Sequence, residues 1–165
     1  MNVGFFRHGP AVVRGTEGVA EADRPLTPEG RKKTLQAAKG LRELDLGFDA
    51  IYTSPLPRAL QTAEIVAGAL RLPPATVLDG LSPGGSPRRL LAGLRDLEAE
   101  TPLLVGHEPL LSSTVLLAMG GAGSGSLELK KAGLALLELD VAAAHPKGLL
   151  KLLLSGRALR MLISL

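Results

Sequence analysis

The sequence predicts an α/β domain on a largely parallel sheet, and three observations carry that expectation. Short apolar runs bounded by Gly and Pro alternate with longer segments whose leucines and alanines recur at helical spacing. Longer segments open on a hydroxyl residue followed by proline, a helix-start signal. A length of 165 residues at 45% hydrophobic content suits one packed domain, residues 1–165, and leaves little room for a second. With 3 Phe, 1 Tyr and no Trp, its core must come from Leu, Val, Ala and Ile.

The elements follow in order. Residues 2–7, NVGFFR, are too short and too apolar for an amphipathic helix and read as a buried strand. A loop rich in Gly, Glu and Asp runs from Gly9 to Leu26. Thr27-Pro28-Glu29 then supplies an N-cap, a first-turn proline and a first-turn acid, and Leu35, Ala38, Leu41 and Leu44 form the stripe of the helix that Gly47 closes. Asp49 to Thr53 is a second strand. Ser54-Pro55 repeats the cap-then-proline signal, delayed by Pro57, and Leu60, Ala63, Val66 and Leu70 carry the stripe.

Ala75 to Leu78 reads as a third strand, and Ser86-Pro87 starts a helix containing Leu90, Leu91, Leu94 and Leu97. Thr101 to Val105 is a fourth strand, followed by Gly106-His107-Glu108-Pro109 and an apolar helix to Met119. GGAGSGS, residues 120–126, has the composition of a connector. Ala132 to Leu139 and Gly148 to Leu154 are two further strands, with a turn at His145-Pro146. Open sheets of this kind place their sites beyond the carboxyl ends of the strands.

That rule selects residues. Arg7 and His8 end strand one, Arg58 heads the helix after strand two, and His107 follows strand four. Singly each has an ordinary explanation: a chance tripeptide, a solvated helix residue, a cap histidine. Jointly they fall on one rim, near helix N-termini that favour anions. Two guanidinium groups and two imidazoles converging on a crevice make an oxyanion pocket, for which a phosphoryl group is the natural guest.

Composition removes several alternatives. The absence of Cys excludes a disulfide framework, a thiolate zinc site and a cysteine nucleophile. The net charge of +3 leans toward anionic ligands, yet no basic run is interleaved with aromatics, so nucleic acid is not expected as a partner. Apolar stretches at 110–119 and 149–165 are too short or too interrupted to span a bilayer, and no secretory leader is evident, so a soluble cytoplasmic protein without a membrane partner is expected. Neither a P-loop nor carboxylates at metal-ligand spacing occur, so no metal or cofactor is expected.

FFRHGPA, RPLTPEG, IYTSPLPRALQTAEIV and LLVGHEP together resemble the histidine phosphatase superfamily, with its phosphoglycerate mutase-like fold. The small size, the run from Arg7-His8-Gly9 to Arg24-Pro25-Leu26-Thr27 and the C-terminal LLLSGRAL resemble its SixA group, the phosphohistidine phosphatases. The resemblance implies a three-layer α/β/α fold in a minimal form without a cap. It also implies a phosphate pocket of Arg7, His8, Arg58 and His107, with His8 as nucleophile.

The chemistry expected is covalent phosphoryl transfer through a neutral His8, with Arg7, Arg58 and His107 neutralising the phosphoryl oxygens and Gly9 keeping bulk from the pocket floor. A phosphate or sulfate ion would fit the pocket. The general acid is open. Larger members of the superfamily supply a glutamate after the third strand, where this chain has LDGLSPGG. Candidates are Glu21, which is favoured, then Asp23, Asp79 and Glu108. An alkoxide leaving group, whose conjugate acid has a pKa of roughly 15, needs a placed donor, whereas phosphohistidine can leave as neutral imidazole. A sparse acid position and an uncapped crevice therefore point to a phosphohistidine-containing signalling protein as substrate. A small-metabolite phosphomonoesterase and a non-catalytic phosphate sensor are the alternatives.

Overall fold

The computed structural model describes residues 1–121, 126–143 and 146–163. Its centre is a six-stranded sheet of β1 (Asn2–Arg7), β2 (Ala50–Thr53), β3 (Thr76–Val77), β4 (Pro102–Gly106), β5 (Leu134–Asp140) and β6 (Lys147–Leu154), in the order β3-β2-β4-β1-β5-β6. The first four are parallel, and β5 and β6 join antiparallel at one edge. Helices α1 (Pro28–Glu43), α2 (Pro57–Leu70) and α5 (Gly156–Leu162) pack against one face. Helices α3 (Pro87–Gly93) and α4 (Leu110–Ala118) cover the other. The result is the three-layer α/β/α arrangement with a mostly parallel sheet.

Alternation along β1 explains the two cores. Val3 and Phe5 point into the layer with Leu104, Leu111, Val115 and Leu137, while Phe6 points into the layer with Ala37, Leu41, Ile51 and Val66. A strand buried on both faces reads as a continuous apolar run, the pattern seen at residues 3–6.

Start signals held for two helices. Thr27 accepts from Gly30 N–H at 2.9 Å, and Ser86 accepts from Arg89 N–H at 3.4 Å. The expectation at Ser54-Pro55 needs correction, because α2 begins only at Pro57 with Leu56 as its cap residue. Ser54 is engaged elsewhere, accepting from Leu56 N–H and bonding His107. Two further expectations shrink: β3 has two paired residues, and α3 gives way at Leu94 to a 3-10 turn that leaves Leu97 outside it.

Helix α5 was not anticipated. It is short, and the glycine in its first turn hides a serine cap, Ser155 accepting from Ala158 N–H at 3.1 Å. The expected turn at His145 and the middle of the 120–126 connector lie outside the described residues.

Where α5 crosses α1, Gly40 is buried and a Cβ there would collide with the carbonyl of Leu159. Gly40→Ala should therefore destabilise the protein by about 1–3 kcal/mol, although alanine gains about 1 kcal/mol in helix propensity. Urea denaturation checks this; a stabilised variant would contradict the α1–α5 packing.

Candidate active site

The site begins with strand register. In the parallel β1–β4 pair Arg7 lies opposite Gly106, and His8 N–H donates to Gly106 O at 3.0 Å. Both strands therefore end level, with His8 and His107 side by side. Their ring centroids are 5.1 Å apart with planes tilted 54°. On the other flank Ser54 N–H donates to Val105 O, placing the end of β2 on the same rim. Arg58 is the second residue of α2 and reaches the crevice from there, only 3% exposed.

The four residues expected to converge do so. Arg7, His8, Arg58 and His107 line one crevice of about 300 Å³ together with Arg14, Glu21, Arg24, Pro83, Glu108 and Lys131. Asp23 and Asp79 are exposed and do not line it. Three cations, Arg14, Arg24 and Lys131, were missed as site residues. Arg14 and Lys131, in the loop after β1 and the segment before β5, stand in no motif, and Arg24 stands in RPLTPEG without having been read as part of the pocket.

His8 is buried, and its Nδ1 lies 2.7 Å from Gly9 O. A carbonyl can only accept, so Nδ1 carries the proton and Nε2 keeps its lone pair. Burial first, and then repulsion from His107, Arg58 and Arg7, lowers the imidazole pKa to about 3, against the opposing pull of the Gly9 carbonyl. The ring is neutral at pH 7. Gly9 is fixed in turn by donating to Thr62 Oγ1 at 2.9 Å, which itself donates to Arg58 O at 2.7 Å.

Gly9 has a different role from the one expected. A Cβ there would collide with Thr34 Oγ1 on α1 and crowd Leu26. The glycine lets the loop lie flat on α1; the constraint comes from the packing beneath and not from the pocket floor.

His107 is also buried, with Nε2 at 2.8 Å from Ser54 Oγ and Nδ1 without a protein partner. Burial and then repulsion from Arg58, Arg24 and Arg7 lower its pKa to about 4. Arg7 donates from Nη1 to Leu129 O at 2.9 Å, and Arg58 from Nη1 to Glu21 O at 3.0 Å. The Nε atoms of both arginines are buried without partners.

The carboxylates divide sharply. Glu21 accepts from Arg24 at 2.7 and 2.9 Å and from Arg14 at 3.1 and 3.2 Å, with Arg58 Nη2 at 3.5 Å. Those hydrogen bonds, Arg24 first, lower its pKa to about 2. It is held as an anion, the opposite of what a proton donor requires. Glu108 is half-buried, accepts from Ser112 Oγ through Oε2 and leaves Oε1 buried without a partner. Burial pushes its pKa up, favouring the protonated form.

The buried imidazoles set a pH dependence of stability. Their folded-state pKa values lie below the usual value of 6.5, so on acidification the unfolded chain binds protons that the native state refuses. Stability should be flat above pH 6.5. It should fall from there toward pH 4.5, with a limiting slope of about 1.4 kcal/mol per pH unit for each histidine. Urea denaturation at pH 7.5, 6 and 5 checks this, and the slope should shrink in His107→Gln.

Comparison with known proteins places this geometry. Residues 3–83 match the family model for the histidine phosphatase superfamily, branch 1. An uncharacterized protein of Picosynechococcus sp. is 43% identical over 137 residues, covering 81% of this chain and 82% of the relative. A solved structure of the protein histidine phosphatase SixA complexed with tungstate superposes with a TM-score of 0.80 at 27% identity, covering 95% of this chain and 98% of the other. A phosphoserine phosphatase mutant of Entamoeba histolytica in complex with phosphoserine superposes with a TM-score of 0.70 at 18% identity, covering 95% and 98%, which speaks to the fold alone. The level ends of β1 and β4 thus fall in a known lineage: the chain belongs to the histidine phosphatase superfamily, whose members are phosphatases, and its architecture is of the SixA type.

Proposed function

We propose that this chain hydrolyses phosphohistidine on proteins, with His8 as nucleophile. The observation that carries the mechanism is His8 itself: a buried, neutral imidazole whose Nδ1–H is tied to Gly9 O, flanked by two arginines with unpartnered Nε atoms. Its Nε2 attacks phosphorus in line. The P–N bond to the substrate imidazole breaks, and that imidazole departs with a proton. Water then attacks the phosphorylated His8, the P–Nε2 bond breaks, and inorganic phosphate leaves.

Arg7 and Arg58 bring fixed positive charge to the phosphoryl oxygens, supplying the electrostatic stabilisation that a metal ion provides elsewhere. His107 contributes as the second imidazole of the crevice: its Nε2 is held by Ser54 Oγ, and its Nδ1 has no protein partner to compete with an incoming anion. The proton donor assigned here is Glu108 rather than the favoured Glu21. Glu21 is committed as an anion to three arginines, and its place is to steady Arg58. Two features support a protein substrate. Residues 78–86 join β3 to α3 by a short path rather than an enclosing insertion, and the chain resembles the SixA protein histidine phosphatase.

One observation favours a second reading. A Glu108 whose pKa is pushed up by burial lines the crevice and can supply the proton that expels an alkoxide, which a small-metabolite phosphomonoesterase requires and phosphohistidine hydrolysis does not.

Assaying a phosphohistidine protein beside sugar and nucleotide monophosphates separates the two, and a strong preference for the metabolites would overturn the first. His8→Ala should abolish turnover of every substrate, measured as released phosphate. Glu108→Gln should reduce hydrolysis of an alkyl phosphate by roughly 10²-fold or more while changing phosphohistidine hydrolysis much less. Glu21→Gln should leave the alkaline limb of the pH–rate profile in place, since Glu21 donates no proton.

A further inference from the structure

The cations that look scattered in the sequence gather on one surface away from the crevice. Helices α1 and α2 run side by side, and between their outward faces lies an open groove of about 460 Å³. Arg31, Lys32, Lys39 and Arg42 from α1 and Arg71 at the end of α2 line it, with Glu64 as the one acid. Five cations against one carboxylate give the groove +4, one more than the +3 of the whole chain, so everything outside it sums to −1. Among the described residues Arg31, Lys32, Lys39 and Arg71 enter no salt bridge. The charge is therefore not consumed within the molecule.

The floor has a different character. Leu35, 42% exposed, lies among the cations with Ile65, Gly68 and Ala69, and a Cβ on Gly68 would meet nothing. An apolar floor with basic walls matches an amphipathic acidic helix, whose apolar stripe fills the floor while its carboxylates meet the walls. No aromatic lines the groove, so unpaired bases would have nothing to stack on. From Arg31 to Arg42 the groove is about 17 Å long at 1.5 Å per residue, room for three turns of a partner helix.

Its position relates it to the site. Arg24 lines the crevice, and the first turn of α1 separates it from Arg31 at the head of the groove. Gln61 of α2 ties the start of α1 in place by accepting from Leu26 N–H at 2.8 Å. We propose that the α1–α2 groove docks an acidic helical segment of the phosphoprotein whose phosphohistidine enters the crevice. The identity of that partner as substrate rests on the reading of function above; the docking itself does not.

The test uses a helical peptide of about 12 residues with glutamates flanking a Leu/Ala stripe, extended by one histidine that can be phosphorylated chemically. The unphosphorylated peptide should bind wild-type protein and lose at least tenfold in affinity as salt rises from about 20 to about 200 mM. Lys32→Glu/Lys39→Glu, which brings the groove to neutrality and touches no crevice residue, should weaken binding at least tenfold. The same variant should lower kcat/KM for the phosphohistidine peptide by a similar factor while hydrolysis of free phosphohistidine is unchanged.

Equal peptide binding by wild type and variant would overturn the docking surface. So would tighter, variant-sensitive binding of a single-stranded oligonucleotide or of phosphatidylserine vesicles, which would reassign the groove to nucleic acid or lipid. If wild type binds the peptide but hydrolyses neither phosphohistidine substrate, the function reading fails while the groove stands.

Discussion

Everything in the crevice depends on two parallel strands ending level. The hydrogen bond from His8 N–H to Gly106 O is the last rung between the ends of β1 and β4. It puts two imidazoles within 5.1 Å of each other. One residue of slip would turn every side chain of β1 to the opposite face, exchanging Phe5 and Phe6 between the two cores. Register is therefore enforced by apolar burial along the whole strand, and the site inherits that precision at no cost of its own. The arginines arrive separately, Arg7 at the end of the same strand and Arg58 from the first turn of a helix anchored on β2.

Burial and charge then act on the histidines in the same direction. Both imidazoles sit among guanidinium groups and out of water, and both are driven neutral. For a nucleophile this is the useful state, since a protonated Nε2 has no lone pair to offer. The carboxylates are partitioned by the same environment. Glu21, in reach of three arginines, is locked as an anion, while Glu108, half-buried with Oε1 unpaired, is pushed toward its neutral form. Two acids on one rim are shifted in opposite directions because one has cationic partners within hydrogen-bonding distance and the other is partly buried beside a serine.

The sequence made the strand ends legible because they combine two strong local patterns, an apolar run and an abrupt basic terminus. Arg58 and His107 could be added because the rule for open parallel sheets says where such termini meet. The choice among Glu21, Asp23, Asp79 and Glu108 was not legible, since it depends on which arginines fold against which loop. Glu21 and its partners Arg14 and Arg24 are close in sequence, but Arg58 is brought to them only by α2 packing. Ser54 misled for a related reason: a serine before proline looks like a cap, and only the fold shows its hydroxyl occupied by His107. The long-range steric demand on Gly9 from Thr34 was equally out of reach, because it exists only once α1 lies under the loop.

The causes of the His8 shift differ in what a ligand does to them. A phosphoryl dianion entering the crevice cancels much of the repulsion from Arg7 and Arg58, and that cancellation alone would raise the basicity of the ring. Burial, the largest cause, is not relieved; a bound substrate removes still more water. The bond from Nδ1–H to Gly9 O survives as well, since it lies within the loop itself; it pulls the pKa up, but it also fixes the tautomer that leaves the lone pair on Nε2. His8 is thus poised by the part of its environment that survives binding, so the lone pair on Nε2 remains available when phosphorus arrives. A surface histidine made neutral only by neighbouring cations would lose that state as its substrate bound. This is the physical reason for burying the nucleophile at the end of a core strand rather than presenting it on a mobile loop.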